Sequence, residues 1–310
     1  MRGKTLAAAL SAAVLAGAQP ALAQNRYGAN YFPNVVLTTH EGKEVRFYDD
    51  LLKGKSVAIN IMYTSCKDEC PLETARLAQL QRRLGERMGR DIHFYSITID
   101  PKHDTPAVLK AYMEKFGVGP GWTFLTGKAE DIRLVTKKLG LSRYSDAANK
   151  DGHTASLMIG DEPAGQWMRN SAVDDPQFLQ NTMITFFGWH DATPHASYTE
   201  AVPLDIGKGQ FLFRSRCSAC HTIGEGDKVG PDLMGVTERR GRAWLASYIL
   251  APDKVLAQRD PVAMQLYEKY REVRMPNLRL GTPDVADVIS FLEKQGARPD
   301  GAHDHSAHKH

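Results

Sequence analysis

A chain of 310 residues with 39 basic and 36 acidic side chains has a formal charge of only +3, too near neutral to offer nucleic acid an electrostatic footprint. At 42% apolar residues it can bury a sizeable core, and its length predicts two domains. Its four cysteines stand in two tight pairs, Cys66/Cys70 and Cys217/Cys220. Loops that short gain little from cross-linking, so both pairs read as chemical rather than structural.

In chain order, residues 1–23 read as a signal peptide. Arg2 and Lys4 precede a run of roughly a dozen apolar residues and an Ala21-Leu22-Ala23 cleavage site. Without it the charge falls to +1. No other stretch approaches the ~18 apolar residues of a membrane span, so the mature chain is expected to be exported, periplasmic and not membrane-spanning.

Residues 24–190 alternate strand-like and helix-like segments. "SVAINIM" (56–62) reads as a buried strand. "LETARLAQLQRRLGERM" (72–88) has Leu72, Ala75, Leu77, Leu80 and Leu84 at helical spacing. "DIHFYSITID" (91–100) reads as a second strand. In "DTPAVLKAYMEKFG" (104–117) Thr105 is a cap, Pro106 the first helical residue and Gly117 the terminator. "GHTASLMIG" (152–160) is a further strand. This order predicts an α/β layer architecture. Residues 191–204, aperiodic and holding prolines, read as a linker.

Residues 205–297 lose the strand pattern. "AWLASYILAP" (243–252) and "TPDVADVISFLEKQG" (282–296) read as helices with apolar faces. Residues 298–310 form a histidine-rich tail, expected to be disordered; His303, His305, His308 and His310 there could collect copper or zinc, or merely solubilise.

Pro71, which lacks an N–H, belongs in a first helical turn, so a helix is expected to start at 67–70 with Cys66 at its N-terminal edge. There the dipole and free amides favour a thiolate. Residues four apart share a helical face, so both sulfurs can meet one Cu(I) ion, leaving room for an imidazole from elsewhere. The alternative is a redox pair.

The segments "VAINIMYTSCKDECP", "SITIDPKHDTPAVLKAYMEKFGVGPGWTFLTG" and "GHTASLMI" together resemble the Sco/SenC family of thioredoxin-like copper proteins associated with cytochrome oxidase assembly. The resemblance covers roughly residues 30–185. It implies copper ligation by both cysteines of the C-x-x-x-C-P motif and a downstream histidine, here Cys66, Cys70 and His153. The family's Asp-Pro and Asp-Thr-Pro recur as Asp100-Pro101 and Asp104-Thr105-Pro106. The chain departs from the family in having Lys67 after the first cysteine, where Pro is frequent, and Gly152 before the histidine. Lys67 would lower the thiols' pKa. His93 and His103 read as structural or solvent-facing.

"CSACH" (217–221) has the C-x-x-C-H spacing of covalent c-type haem attachment. Two cysteines on one helical turn reach the two vinyl groups, and the next histidine faces the iron. The 205–297 block, with "GPDLMGV", "WLASYILAP" and a Met-Pro before the last helix, resembles a class I cytochrome c. By that resemblance one covalent haem (heme c) has His221 and Met275 as axial ligands, and the Pro231 carbonyl accepts from His221. Met234 and Met264 are rival ligands, the first expected in the core and the second on a helix. Trp244 and Tyr248 read as packing residues.

The fold expected is therefore an α/β thioredoxin-like domain followed by a small all-α cytochrome c domain. The leading functional reading is a copper chaperone for the cytochrome oxidase copper subunit or another respiratory-chain partner. The alternatives are a thiol–disulfide oxidoreductase using Cys66 and Cys70, and a plain electron carrier with a docking domain.

Overall fold

The computed structural model describes residues 27–66, 69–141, 155–189 and 206–296. The expected signal peptide, linker and histidine-rich tail lie outside the described residues.

The first half is built from β1 (Val36–Thr39), β2 (Glu44–Arg46), β3 (Ser56–Met62), α1 (Cys70–Leu84), β4 (His93–Thr98), α2 (Pro106–Phe116), β5 (Trp122–Gly127), α3 (Ala129–Lys138), β6 (Ser156–Asp161), β7 (Gln166–Ser171) and α4 (Pro176–Phe186). The seven strands form one sheet in the order β2-β1-β5-β4-β3-β6-β7. β3, β4 and β5 run parallel, while β1, β6 and β7 pair antiparallel. The order β4-β3-β6-β7, with α1 between the first two strands in sequence, is the thioredoxin-like arrangement.

β3 is apolar at every position but Ser56 and Asn60 because both its faces are covered. Val57, Ile59 and Ile61 face a cluster with Phe47, Leu52, Ile132 and Val135. Ala58 and Met62 face the opposite cluster with Leu72, Leu77 and Leu80 of α1, Leu109 of α2 and Leu179 of α4. That is the period-two alternation of a strand. α2 starts where the sequence places it: the Thr105 side chain accepts from Val108 N, Pro106 opens the helix, and Gly117 closes it at φ 63°.

Among the described residues, 206–296 contain helices and no strand. α5 (Lys208–Leu212) runs into a π-turn over Phe213–Cys217. α6 (Val236–Arg239), α7 (Arg242–Leu250), α8 (Pro252–Ala257), α9 (Pro261–Lys269) and α10 (Thr282–Gly296) follow. α5 crosses α10 so closely that a Cβ on Gly209 would meet Asp287 O at 2.1 Å, which only glycine avoids.

The two halves touch along α1 and the end of α2. Arg76 Nη2 donates to Arg214 O at 2.5 Å, Gln79 Nε2 to Ser218 O at 3.2 Å, and Arg271 Nη1 to Glu114 O at 3.2 Å. Ala219, 2% exposed, sits in the same buried cluster as the inner face of α1.

Candidate functional site

The first site forms where β3 ends. The chain turns after Tyr63, with Cys66 N donating to Tyr63 O at 3.2 Å, and α1 begins at Cys70 with Pro71 in its first turn. Cys66 is thus in the turn, not on the helix, and the expected four-residue helical spacing does not unite the sulfurs. The fold-back of the turn does so instead: the Cys70 thiol hydrogen-bonds the Cys66 side chain. Both are buried and neither is in a disulfide.

At Cys70, the first residue of α1, burial outweighs the helix terminus. It pushes the Cys70 thiol well above its ordinary range, helped by the hydrogen bond to Cys66 and the nearby Glu73 carboxyl. Desolvation penalises a lone thiolate here, and a bound cation would remove the penalty by ionising the thiol outright. Cys70 is thereby held protonated until a cation arrives. Lys67 lies outside the described residues.

The turn is fixed from below by Asp104, fully buried. Its carboxylate accepts from Thr64 N, Thr64 Oγ1 and Thr98 Oγ1, tying the residue two before Cys66 to β4 and the start of α2. Asp100 pairs with His103 Nδ1 at 2.9 Å, and the His103 side chain is 64% exposed. A second buried polar chain runs beneath α1. Trp122 Nε1 donates to Ser96 Oγ, Ser96 Oγ to Asn60 Oδ1, and Asn60 Nδ2 to Glu73 Oε2 at 3.3 Å. Burial pushes the Glu73 carboxyl up to about 8, and its Oε1 has no partner. Tyr112 meets Thr74 Oγ1 at 3.1 Å, and Thr74 in turn donates to Cys70 O.

Sequence reasoning missed Glu73, Asn60, Ser96 and Tyr112. The available signal was the polar Asn60 and Ser96 inside otherwise apolar strands, which face each other in the β3–β4 register. His153, the expected third ligand, lies outside the described residues. Among those described, no three metal-binding side chains converge. The two sulfurs themselves are a soft donor set suited to Cu(I).

The second site is a cavity of about 350 Å³ in the helical half, far more than a few waters need. Cys217, Cys220, His221, Pro231 and Met275 all line it, with Trp244 and Tyr248 opposite. His221 Nδ1 donates to Pro231 O at 2.9 Å. Burial holds the imidazole below its ordinary pKa, so Nε2 keeps its lone pair; a carbonyl on the far nitrogen is the usual way to orient a metal-ligating histidine. The loop beyond is shaped to the ring, since a Cβ on Gly230 would meet His221 Cε1 at 2.7 Å. Asp232 braces that loop by accepting from Gly224, Gly226 and Met234 amides.

These residues fit a haem attached at the two cysteines. Of the three candidate methionines, Met275 is on the cavity wall. Met234, expected in the core, is 36% exposed, because its loop turns outward around Asp232. Met264 sits on α9 and is not among the lining residues. Trp244 and Tyr248 stack at 4.9 Å, so the pair read as packing residues also walls the cavity.

Comparison with known proteins bears on both halves. The SCO1/SenC family model matches residues 23–189, more than half of the chain, and the cytochrome c model matches residues 206–296. A SCO2-like protein of Rickettsia felis is 40% identical over 92 residues, 30% of this chain and 43% of its own length. Mitochondrial SCO2 of Saccharomyces cerevisiae is 35% identical over 102 residues, 33% of each chain. ScoI of Bradyrhizobium japonicum, whose structure has copper bound, aligns with a TM-score of 0.41 at 27% identity, over 49% of this chain and 96% of that one. The chain spans about half the length of the first Rickettsia relatives, 43% to 53%. No described helix is long and apolar enough to cross a membrane.

Proposed function

Because the chain belongs to the SCO1/SenC family and carries a cytochrome c domain behind it, we propose that it is an exported, periplasmic copper chaperone for the copper centre of a respiratory cytochrome oxidase, with a redox-active haem in the same chain. Cys66, Cys70 and His153 hold one Cu(I) as cargo. Cys217 and Cys220 would hold the haem covalently, and His221 and Met275 would ligate its iron. When bound there, haem supplies a one-electron couple beside the copper and thiol chemistry of the first site.

The observation that carries this reading is a shared helix. α1 begins with Cys70 and, through Arg76 and Gln79, hydrogen-bonds the segment bearing Cys217 and Cys220. Six helical residues separate Cys70 from Arg76, an axial rise of about 9 Å. The protein's own part is to bury the thiols, keep Cys70 protonated until a cation displaces its proton, and hold His221 by its Pro231 bond.

Copper titration of the holoprotein tests it. One equivalent of Cu(I) should bind, and Cys66→Ser or His153→Ala should abolish that binding. Cu(II) added to the reduced protein should oxidise the haem within the same chain, leaving Cu(I), and Cys66→Ser should abolish this. Haem oxidation that ignores Cys66 would leave a plain carrier with a docking domain.

A second reading, thiol–disulfide oxidoreductase, gains from Glu73, a buried carboxyl held near 8 and electrostatically coupled to Cys66. In that reading Cys66 and Cys70 become a disulfide as a client disulfide is reduced to two thiols. Reduction of a protein disulfide that survives His153→Ala would select it.

A further inference from the structure

Arg76 is a buried cation that the first site does not use. It is 3% exposed. Nη2 donates to Arg214 O and Nη1 to Gln79 Oε1, while Nε has no partner. No described carboxylate forms an ion pair with it. A buried guanidinium without an ion-pair partner carries a desolvation penalty, and a methionine or leucine would fill the same space. The ionisable neighbours that favour its charge are Asp175, Cys220 and Cys217. Reciprocally, Arg76 is the largest influence opposing the burial that raises Cys220, and it acts on Cys217 as well. Its charge therefore acts on both haem-attachment sulfurs, and its bond to Arg214 O fixes it to the segment that leads into Cys217.

The wall at this point is thin. Cys220, Val229, Val273 and Leu278 line the haem cavity and also pack against the buried cluster that includes the inner face of α1. At the cysteine edge the cavity wall therefore packs against the first domain. Arg216 and Lys228 also act on these cysteines, but both are exposed, where water and salt screen them. Arg76 is screened by neither.

We propose that Arg76 of the copper-domain helix is a positioning and potential-setting residue for the haem: it fastens the cysteine edge of the second domain to α1, and its buried charge raises the haem reduction potential. This rests on covalent haem at Cys217 and Cys220. Ferric haem carries one more positive charge than ferrous haem, so a weakly screened cation at its edge disfavours the ferric state. Burial and nearby charge are among the protein's levers on a haem potential. The consequence is that the copper domain, not the cytochrome domain alone, sets how readily the haem accepts an electron.

The test is a spectroscopic redox titration of the full-length holoprotein, with Arg76→Met and Arg76→Lys beside the unsubstituted chain. Arg76→Met keeps an apolar stem in the buried slot and removes the charge. At a fixed applied potential its ferric-to-ferrous ratio is expected to rise on the order of tenfold, a shift of about 59 mV for one electron. Arg76→Lys should retain most of the original potential. Gln79→Glu, which sets an anion beside the guanidinium, should shift it in the same direction as Arg76→Met, and serves if that variant does not fold. A potential unmoved in both Arg76→Met and Gln79→Glu would overturn the proposal. So would an equal fall in Arg76→Lys and Arg76→Met, which would assign the effect to lost packing. Absence of a c-type pyridine haemochrome in the unsubstituted chain would instead remove the haem reading, and this inference with it.

Discussion

The two halves solve opposite problems. In the first, the sheet is packed on both faces, and the thiol pair is closed and hydrogen-bonded with its surroundings already in place. In the second, the described residues form two small buried clusters, Phe213, Val288 and Leu292, and Leu245, Val285 and Ile289. Between them lies the 350 Å³ cavity. A cargo ion that comes and goes must leave a stable protein behind, so its site is built from the core outward. A resident prosthetic group can itself be the core, so the protein supplies a shell.

That contrast is sharpest if haem attachment is prevented. Replacing Cys217 and Cys220 with Ala should cost the second half more than about 4 kcal/mol and leave it unfolded. Circular dichroism and limited proteolysis should then show loss of residues 206–296, with the first half still folded but melting lower, because Arg76 and Gln79 lose their bonds to Arg214 O and Ser218 O. A second half that stays helical and protease-resistant without haem would break the comparison.

Next in size is Asp104→Ala. It leaves Thr64 N, Thr64 Oγ1 and Thr98 Oγ1 without an acceptor, at a cost of roughly 3–5 kcal/mol. The melting temperature of the first half should fall, and Cu(I) affinity should fall with it because the Cys66 turn loses its brace.

Glu73→Gln sharpens the comparison through pH. Folding raises this carboxyl from its ordinary 4.5 to about 8. Between those values the unfolded chain has released the proton that the folded one retains. Stability is therefore full below pH 4.5 and declines toward pH 8, by at most roughly 1.4 kcal/mol per pH unit. Chemical denaturation across that window should show the slope in the unsubstituted chain and a flatter one in Glu73→Gln.

The smallest effect is expected at the contact between halves. Gln79→Ala removes the bond to Ser218 O and the acceptor of Arg76 Nη1 and should cost roughly 1–2 kcal/mol, read as a small loss of coupling between the two thermal transitions.

Much of the chemistry was legible from sequence because it resides in local spacing. The C-x-x-C-H run, the Thr105 cap with Pro106, and the helix over 282–296 each depend on neighbours within a few residues, and each element lies where its pattern placed it. Short elements such as β1, β2 and β7 escaped, since their three to six residues carry too little periodicity. α1 starts at Cys70, at the last position of the range that Pro71 allowed, because a proline restricts the first turn without choosing its first residue.

The sequence by itself determined the donor chemistry: which residues carry sulfur, imidazole and thioether, and in what order. Tertiary structure decided the electrostatics, because desolvation depends on what packs around a group and not on its neighbours in the chain. It pushed the Cys70 thiol and the Glu73 carboxyl up, and set Arg76 of one domain against the cysteines of the other. No local pattern encodes the last of these, since the partners are 138 residues or more apart.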